Sequence, residues 1–237
     1  MKYLFMAVAL LAASTVAHAK QRTVIEDLPK EIVDNSHVIM VEVAIADTAR
    51  EKLAKIEAKA MEKRTDAGLP AYQPLAHDPA TMPARPARDI YSTLPFEVMF
   101  PFVMQDVTRD WGLTEGKGTP IRLRITVETI KTADAAMAIL ISSADELAGK
   151  VDVLDATGEQ SIGSFYVHVV NAHGGLAGLM MRGGGIREKL AQEFALESAR
   201  ILTGSTKKDW KKRVKAREKA QEQATTIAVA TTASGPQ

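Results

Sequence analysis

The stretch from Glu146 to Leu202 constrains the fold of this chain more than any other: two strand-like runs about a short turn, a glycine-rich loop, then a strongly amphipathic helix. The pattern predicts strands over Leu147–Leu154 and Ser161–Val170, joined by Asp155-Ala156-Thr157-Gly158-Glu159. Asp155 can accept hydrogen bonds from the backbone of its own turn, and Gly158 can take a positive φ at little steric cost. Side chains alternate across a strand, so Leu147, Gly149, Val151 and Val153 are expected to face a core, as are Phe165, Val167 and Val169. In the helix predicted over Ile186–Leu202, the residues Ile186, Leu190, Phe194, Ile201 and Leu202 form one stripe, filled in by Ala191, Ala195 and Ser198. That is the period of a helix with one buried face. Arg187 and Glu197 fall on the apolar side; Arg187, in the first turn, is expected to snorkel out to water. Gly204 offers the position on which the helix can end.

The amino-terminal residues have the form of an address. Lys2 precedes an apolar run from Tyr3 to Ala13, and small residues end in Ala17-His18-Ala19. This is the form of a secretory signal peptide over 1–19, cleaved before Lys20. The apolar run is shorter than the ~20 residues a spanning helix needs, so no transmembrane segment is expected after cleavage, and a periplasmic or secreted location is. The chain contains no cysteine. An exported fold of this kind cannot rely on disulfides and must bury a real core. With 46% hydrophobic and 25% charged residues the composition is that of a globular protein. Removing Lys2 takes the formal charge from +1 to 0, which leaves no whole-molecule argument for nucleic acid.

Residues 20–204 are read as a single α+β domain. Lys20–Asn35 is read as an arm. Val38–Ile45 is strand-like, with Ile39, Val41, Val43 and Ile45 on one parity. Ala46–Arg64 is helical, with Asp47 as N-cap. The stretch 65–89 holds Pro70, Pro74, Pro79, Pro83 and Pro86, half of the chain's ten prolines, and is expected to be a long loop. Within Ile90–Trp111, Val103, Val107 and Trp111 recur every four residues, which predicts a helix in the second half, with Pro101 at its first turn or at a kink. Phe96, Phe100 and Phe102, three of the six phenylalanines, are expected to pack under a sheet. Ile121, Leu123, Ile125 and Val127 alternate with Arg122, Arg124, Thr126 and Glu128, the cleanest half-buried strand in the chain. Ala135–Ser142 is read as a further strand. The order predicts an α+β fold: an antiparallel sheet of about four to five strands with two or three helices packed on one face.

The run Val151-x-Val153-x-Asp155-x-Thr157-Gly158-x-x-x-Ile162-Gly163, followed by a loop and a terminal helix, resembles the small α+β domains of bacterial envelope accessory proteins. These are the TolB N-terminal domain, the curli-secretion proteins and the LpoB-type lipoproteins. The resemblance covers about Gly118 to Leu202. It implies a non-enzymatic role in envelope assembly or binding. Those lipoproteins carry an anchoring cysteine that this chain lacks.

Two segments are candidates for contact with an anion or a partner. Arg182, Gly183, Gly184 and Gly185 lead into the helix at Ile186, where backbone N–H groups and the helix dipole favour negative charge. The segment Thr206–Glu222 carries eight basic residues, including Lys207, Lys208, Lys211, Lys212, Arg213 and Lys215, against three acids, a net +5. Trp210 and Val214 give it a small apolar edge. It is read as a basic helix, with 205–237 as a whole ending in a disordered tail. No catalytic residue, cofactor or metal ligand is assigned: no phosphate-binding glycine motif, no His pair at helical metal spacing and no nucleophile turn occurs. The preferred reading is an exported, soluble, non-enzymatic protein that binds an envelope protein or another envelope component. The alternatives are contact with anionic lipid or lipopolysaccharide, and a hydrolase with an unrecognised site. The oligomeric state is not legible.

Overall fold

The computed structural model describes residues 24–33, 35–69, 91, 93–114, 118–132, 144–171, 185–217 and 219–220. The leader over 1–19, the proline-rich stretch from Pro70, the strand expected at 135–142, the glycine-rich loop as far as Gly184 and the tail from 221 lie outside the described residues.

Five strands form one sheet: β1 (Val24–Asp27), β2 (Ser36–Ile45), β3 (Thr119–Lys131), β4 (Asp145–Leu154) and β5 (Ser161–Asn171). Their spatial order is β1-β5-β4-β3-β2. Three helices, α1 (Asp47–Asp66), α2 (Phe96–Asp110) and α3 (Ile186–Leu202), share one buried cluster with the core side of that sheet. A fourth helix, α4, runs over 207–217. The α+β expectation, strands with helices grouped on one face, holds.

The hairpin forms in the expected register, with Leu147 opposite Val169 and Val151 opposite Phe165. Leu147, Val151, Val153, Phe165, Val167 and Val169 are each no more than 1% exposed. Helix α3 lies across β4 and β5 and against α2. It ends as a Schellman motif: the Gly204 N–H donates to the Ile201 carbonyl at 2.9 Å and the Ser205 N–H to the Arg200 carbonyl at 3.1 Å. Gly204 takes φ +61°, where a Cβ is strained.

Four features depart from the sequence pattern. The sheet is mixed: β1, β5, β4 and β3 pair antiparallel, but β2 pairs parallel with β3. The chain between β2 and β3 passes through α1 and α2, and a crossover connection joins parallel strands where a hairpin cannot. Part of the expected arm is a short strand, β1, closing the edge beside β5. In β2 the parity shifts at Ile39, because Val38 pairs with Ile121 and Met40 with Arg122. That bulge puts Val38 and Val41 in the core and leaves Ile39 and Val43 half-buried. The N-cap of α1 is Ala46 with no side-chain hydrogen bond, so Asp47 is not a cap; it opens the helix, where its charge still complements the dipole.

The phenylalanine cluster packs as expected. Phe96 and Phe100 are fully buried and Phe102 is 4% exposed. Helix α2 begins earlier than the spacing predicts, at Phe96, so Pro101 lies inside it. Proline has no N–H to donate back along the helix, and Pro101 is itself buried within α2.

The turn between β4 and β5 is built on Asp155. Its Oδ1 accepts from the Gly158, Glu159 and Gln160 N–H groups at 2.8, 3.0 and 3.2 Å, and the Thr157 hydroxyl donates to both oxygens. The Thr157 hydroxyl, and after it the three backbone N–H groups, hold the Asp155 carboxyl below its ordinary pKa. A depressed carboxyl contributes stability that is complete above the unfolded value and is lost as pH falls through the folded one. Acid titration is therefore expected to lower the exchange protection factors of the Glu159 and Gln160 amides below the ordinary carboxylate range. In Asp155→Ala those amides should show low protection at every pH, with no acid step.

Candidate functional site

Strand periodicity sends every second side chain of the sheet away from the helices. On that second face, register brings Glu42, Arg124, Asp152 and Ser164 into one row across β2, β3, β4 and β5. The next row is Ala44, Thr126, Lys150 and Tyr166. Beyond it, Ala148 lies opposite His168, and Lys131 opposite Glu146. No described helix covers these rows. Their charged groups are tied to each other: Arg124 to Glu42 at 3.2 Å, Lys150 to Asp152 at 3.0 Å and Lys131 to Glu146 at 3.3 Å. The other Glu146 oxygen meets His168 Nε2 at 2.8 Å. The result is a half-buried polar surface, with Tyr166 and His168 on β5, next to the edge strand β1.

The His168–Glu146 pair bears on the hydrolase alternative. An acid that orients an imidazole is two members of a triad, and the third is a nucleophile within hydrogen-bond reach. The side chains beside and opposite His168 on this face are Tyr166, Val170 and Ala148. The other described histidine, His37, meets the Gly118 carbonyl through Nδ1 at 2.8 Å. Among the described residues no group of three His, Cys, Asp or Glu side chains could hold a metal ion.

A second polar constellation lies on the helical side. Arg187 is buried, not snorkelled: its Nη1 donates to both Glu57 oxygens at 2.7 and 2.8 Å, and its Nη2 to Glu188 at 3.0 Å. The same Glu57 carboxylate accepts the Phe96 N–H at 3.1 Å. One carboxylate on α1 therefore satisfies the first N–H of α2 and the guanidinium of α3. The apolar angle of Arg187 signalled a buried charge, but nothing in the α1 sequence singled out Glu57 as its partner.

Of the residues predicted for contact, Arg182, Gly183 and Gly184 lie outside the described residues. Gly185 precedes α3 with φ +85°, and a Cβ there would stand 2.0 Å from Glu188 Oε2, so the chain's own carboxylate lies over this helix start. Lys207, Lys208, Lys211, Lys212, Arg213 and Lys215 all fall on α4. Trp210 is 7% exposed, in the buried cluster, and packs against Trp111 with centroids 4.1 Å apart and planes tilted by 36°. The Arg213 guanidinium lies over both rings at 5.4 and 5.6 Å and donates to the Ser205 hydroxyl at 2.8 Å. Arg217 lies over Trp111 at 5.2 Å, pairs with the Asp110 carboxylate at 3.5 Å and donates to the Asp110 carbonyl.

No protein-family model matches the sequence, and no curated protein does. Among solved structures, two of the PelC dodecamer from Paraburkholderia phytofirmans are similar at 10% and 12% identity. They cover 77% of this chain and 95% and 96% of theirs, with TM-scores of 0.35 and 0.30. A candidate lipoprotein from Caulobacter crescentus is similar at 17% identity over 44% of this chain and 81% of its own, with a TM-score of 0.28. Likenesses this distant leave the role to the geometry of the chain itself. No helix among the described residues is long and apolar enough to cross a membrane.

Proposed function

We propose that the chain is an exported, non-enzymatic protein that binds a protein or another component of the cell envelope, with the open face of the sheet as the contact surface. Export rests on the leader ending at Ala19. The single observation that carries the binding reading is the pairing of charges across that face. Arg124 with Glu42, Lys150 with Asp152, and Lys131 with Glu146 pair their charges with one another instead of converging on a cleft, and His168 Nε2 meets the same Glu146 carboxylate at 2.8 Å. Such a surface meets a folded partner with its polar groups already held in place, which limits the entropy lost on binding. Tyr166, half-buried on β5, supplies an amphipathic side chain of the kind enriched at interfaces.

A photo-reactive residue placed at Thr126, on this face, is expected to give a discrete adduct in envelope extracts. The same residue at Glu62, exposed on α1, is expected to give none. Lys150→Glu with Tyr166→Ala should abolish the Thr126 adduct while the mature chain, beginning at Lys20, is still recovered from the periplasmic fraction. Identical adducts from both positions, or none from Thr126, would remove the reading.

A further inference from the structure

We infer that α4 is a rigid electrostatic contact for an anionic phospholipid surface, independent of the partner proposed for the sheet. The docked edge of α4 is Trp210, Arg213, Val214 and Arg217, held on Trp111 and Asp110 by ring packing, two guanidinium–ring contacts and an ion pair. At about 100° per residue these four lie on one side of the helix. Lys208, Lys211, Lys212 and Lys215 fall within roughly 100° of arc on the opposite side, and Lys207 flanks the docked edge. All five are exposed. Lys207 has Glu197 at 4.0 Å and Lys212 has Asp209 at 3.8 Å, both weak and water-screened. The clamp thus fixes which way the lysines face: those from Lys208 to Lys215 form a ridge roughly 11 Å long, turned away from the core.

The chemistry of the ridge selects the partner. It is convex, so it offers no groove to a small anion. Its cations are all lysines, point charges suited to a diffuse field of headgroups; arginine's planar fork is better matched to bidentate capture of one phosphate. Both tryptophans are consumed in the clamp, so no aromatic face is left on the ridge for bases to stack on, as a single-stranded nucleic acid would require. The segment's +5 stands against −5 for the rest of the chain after the leader, so attraction to an anionic bilayer is confined to this side and orients the protein on it.

The test is co-sedimentation of the full mature chain with vesicles of phosphatidylglycerol in phosphatidylcholine, about 40 mol % anionic, at about 50 and about 300 mM salt. Binding is expected at low salt, to fall steeply at high salt and to be absent with phosphatidylcholine alone. Each lysine near such a surface contributes about fivefold in partitioning. Replacing Lys208, Lys211, Lys212 and Lys215 by Gln is therefore expected to lower binding at least 30-fold with an unchanged thermal midpoint. Arginine at the same four positions should restore it. The inference is overturned by equal binding of wild type and the Gln variant, by binding that survives high salt, or by wild-type binding to polyphosphate but not to vesicles. A vesicle result leaves the adducts at Thr126 untouched, so failure here and failure of the sheet-face reading are separable.

Discussion

Arg187→Ala is expected to lower the unfolding free energy by about 3 kcal/mol, the lower end of the range for breaking a buried ion pair. The guanidinium is 8% exposed, its partners Glu57 and Glu188 are 19% and 17% exposed, and three of its N–H···O distances are 3.0 Å or less. Removing it leaves two carboxylates facing each other at the junction of three helices, with only partial access to water. That partial access places the effect at the low end. An exposed pair on α1, the helix that carries Glu57, is the comparison: Glu51 with Lys55 at 2.7 Å. Lys55→Ala there should leave the urea midpoint close to wild type, because both groups are solvated. Lysine is expected to be a poor substitute at 187, because one ammonium cannot hold both Glu57 oxygens while reaching Glu188. The decisive variant is Arg187→Met with Glu57→Gln, which removes both charges and keeps an acceptor for the Phe96 N–H. It is expected to recover more than half of the loss in urea unfolding. If Arg187→Ala shifts the urea midpoint no further than Lys55→Ala, the junction is not structural.

What was legible in the chain divides along physical lines. Local patterns were read well: Asp155 and Gly158 specify a turn through their own backbone bonds, and the stripe from Ile186 to Leu202 specifies a helix by period alone. Non-local pairing was not. Whether β2 joins β3 parallel or antiparallel depends on the path of the chain between them, and alternation says nothing about it. The bulge at Ile39 moves half a strand to the other face, and β-branched residues on both parities of Val38–Ile45 concealed the shift. Trp111 and Trp210 stand 99 positions apart in the sequence. Each looked like the end of an apolar edge, and only the fold puts one ring on the other, turning a basic helix into a docked one. The charge rows on the open sheet were half legible: the outward arginines of β3 showed in the alternation, but their acidic neighbours came from other strands.

The second large effect is expected at Phe194. Phe194→Ala should cost about 3–5 kcal/mol, the range for emptying a fully buried aromatic site. The side chain is inaccessible to water, at 0% exposure. Its ring meets Phe100 edge-on, centroids 5.2 Å apart and planes at 85°, and Phe100 in turn lies 5.2 Å from Phe96. That chain of rings joins α3 to α2, which is the principal helix–helix contact of the fold. Edge-to-face geometry adds about 0.5–1.5 kcal/mol to what burial alone contributes. The neighbours cannot collapse into the gap cheaply, because Leu190, Ala191 and Ala195 are themselves buried and held by the helix backbone. Phe194→Leu keeps most of the volume but loses the ring, and should cost less than half as much. No disulfide can share the load, since the chain has no cysteine. Urea unfolding of the two variants should therefore give midpoints in the order wild type, Leu, Ala, with an unchanged slope. A Phe194→Ala midpoint within error of wild type would mean that α3 is not what the sheet folds against.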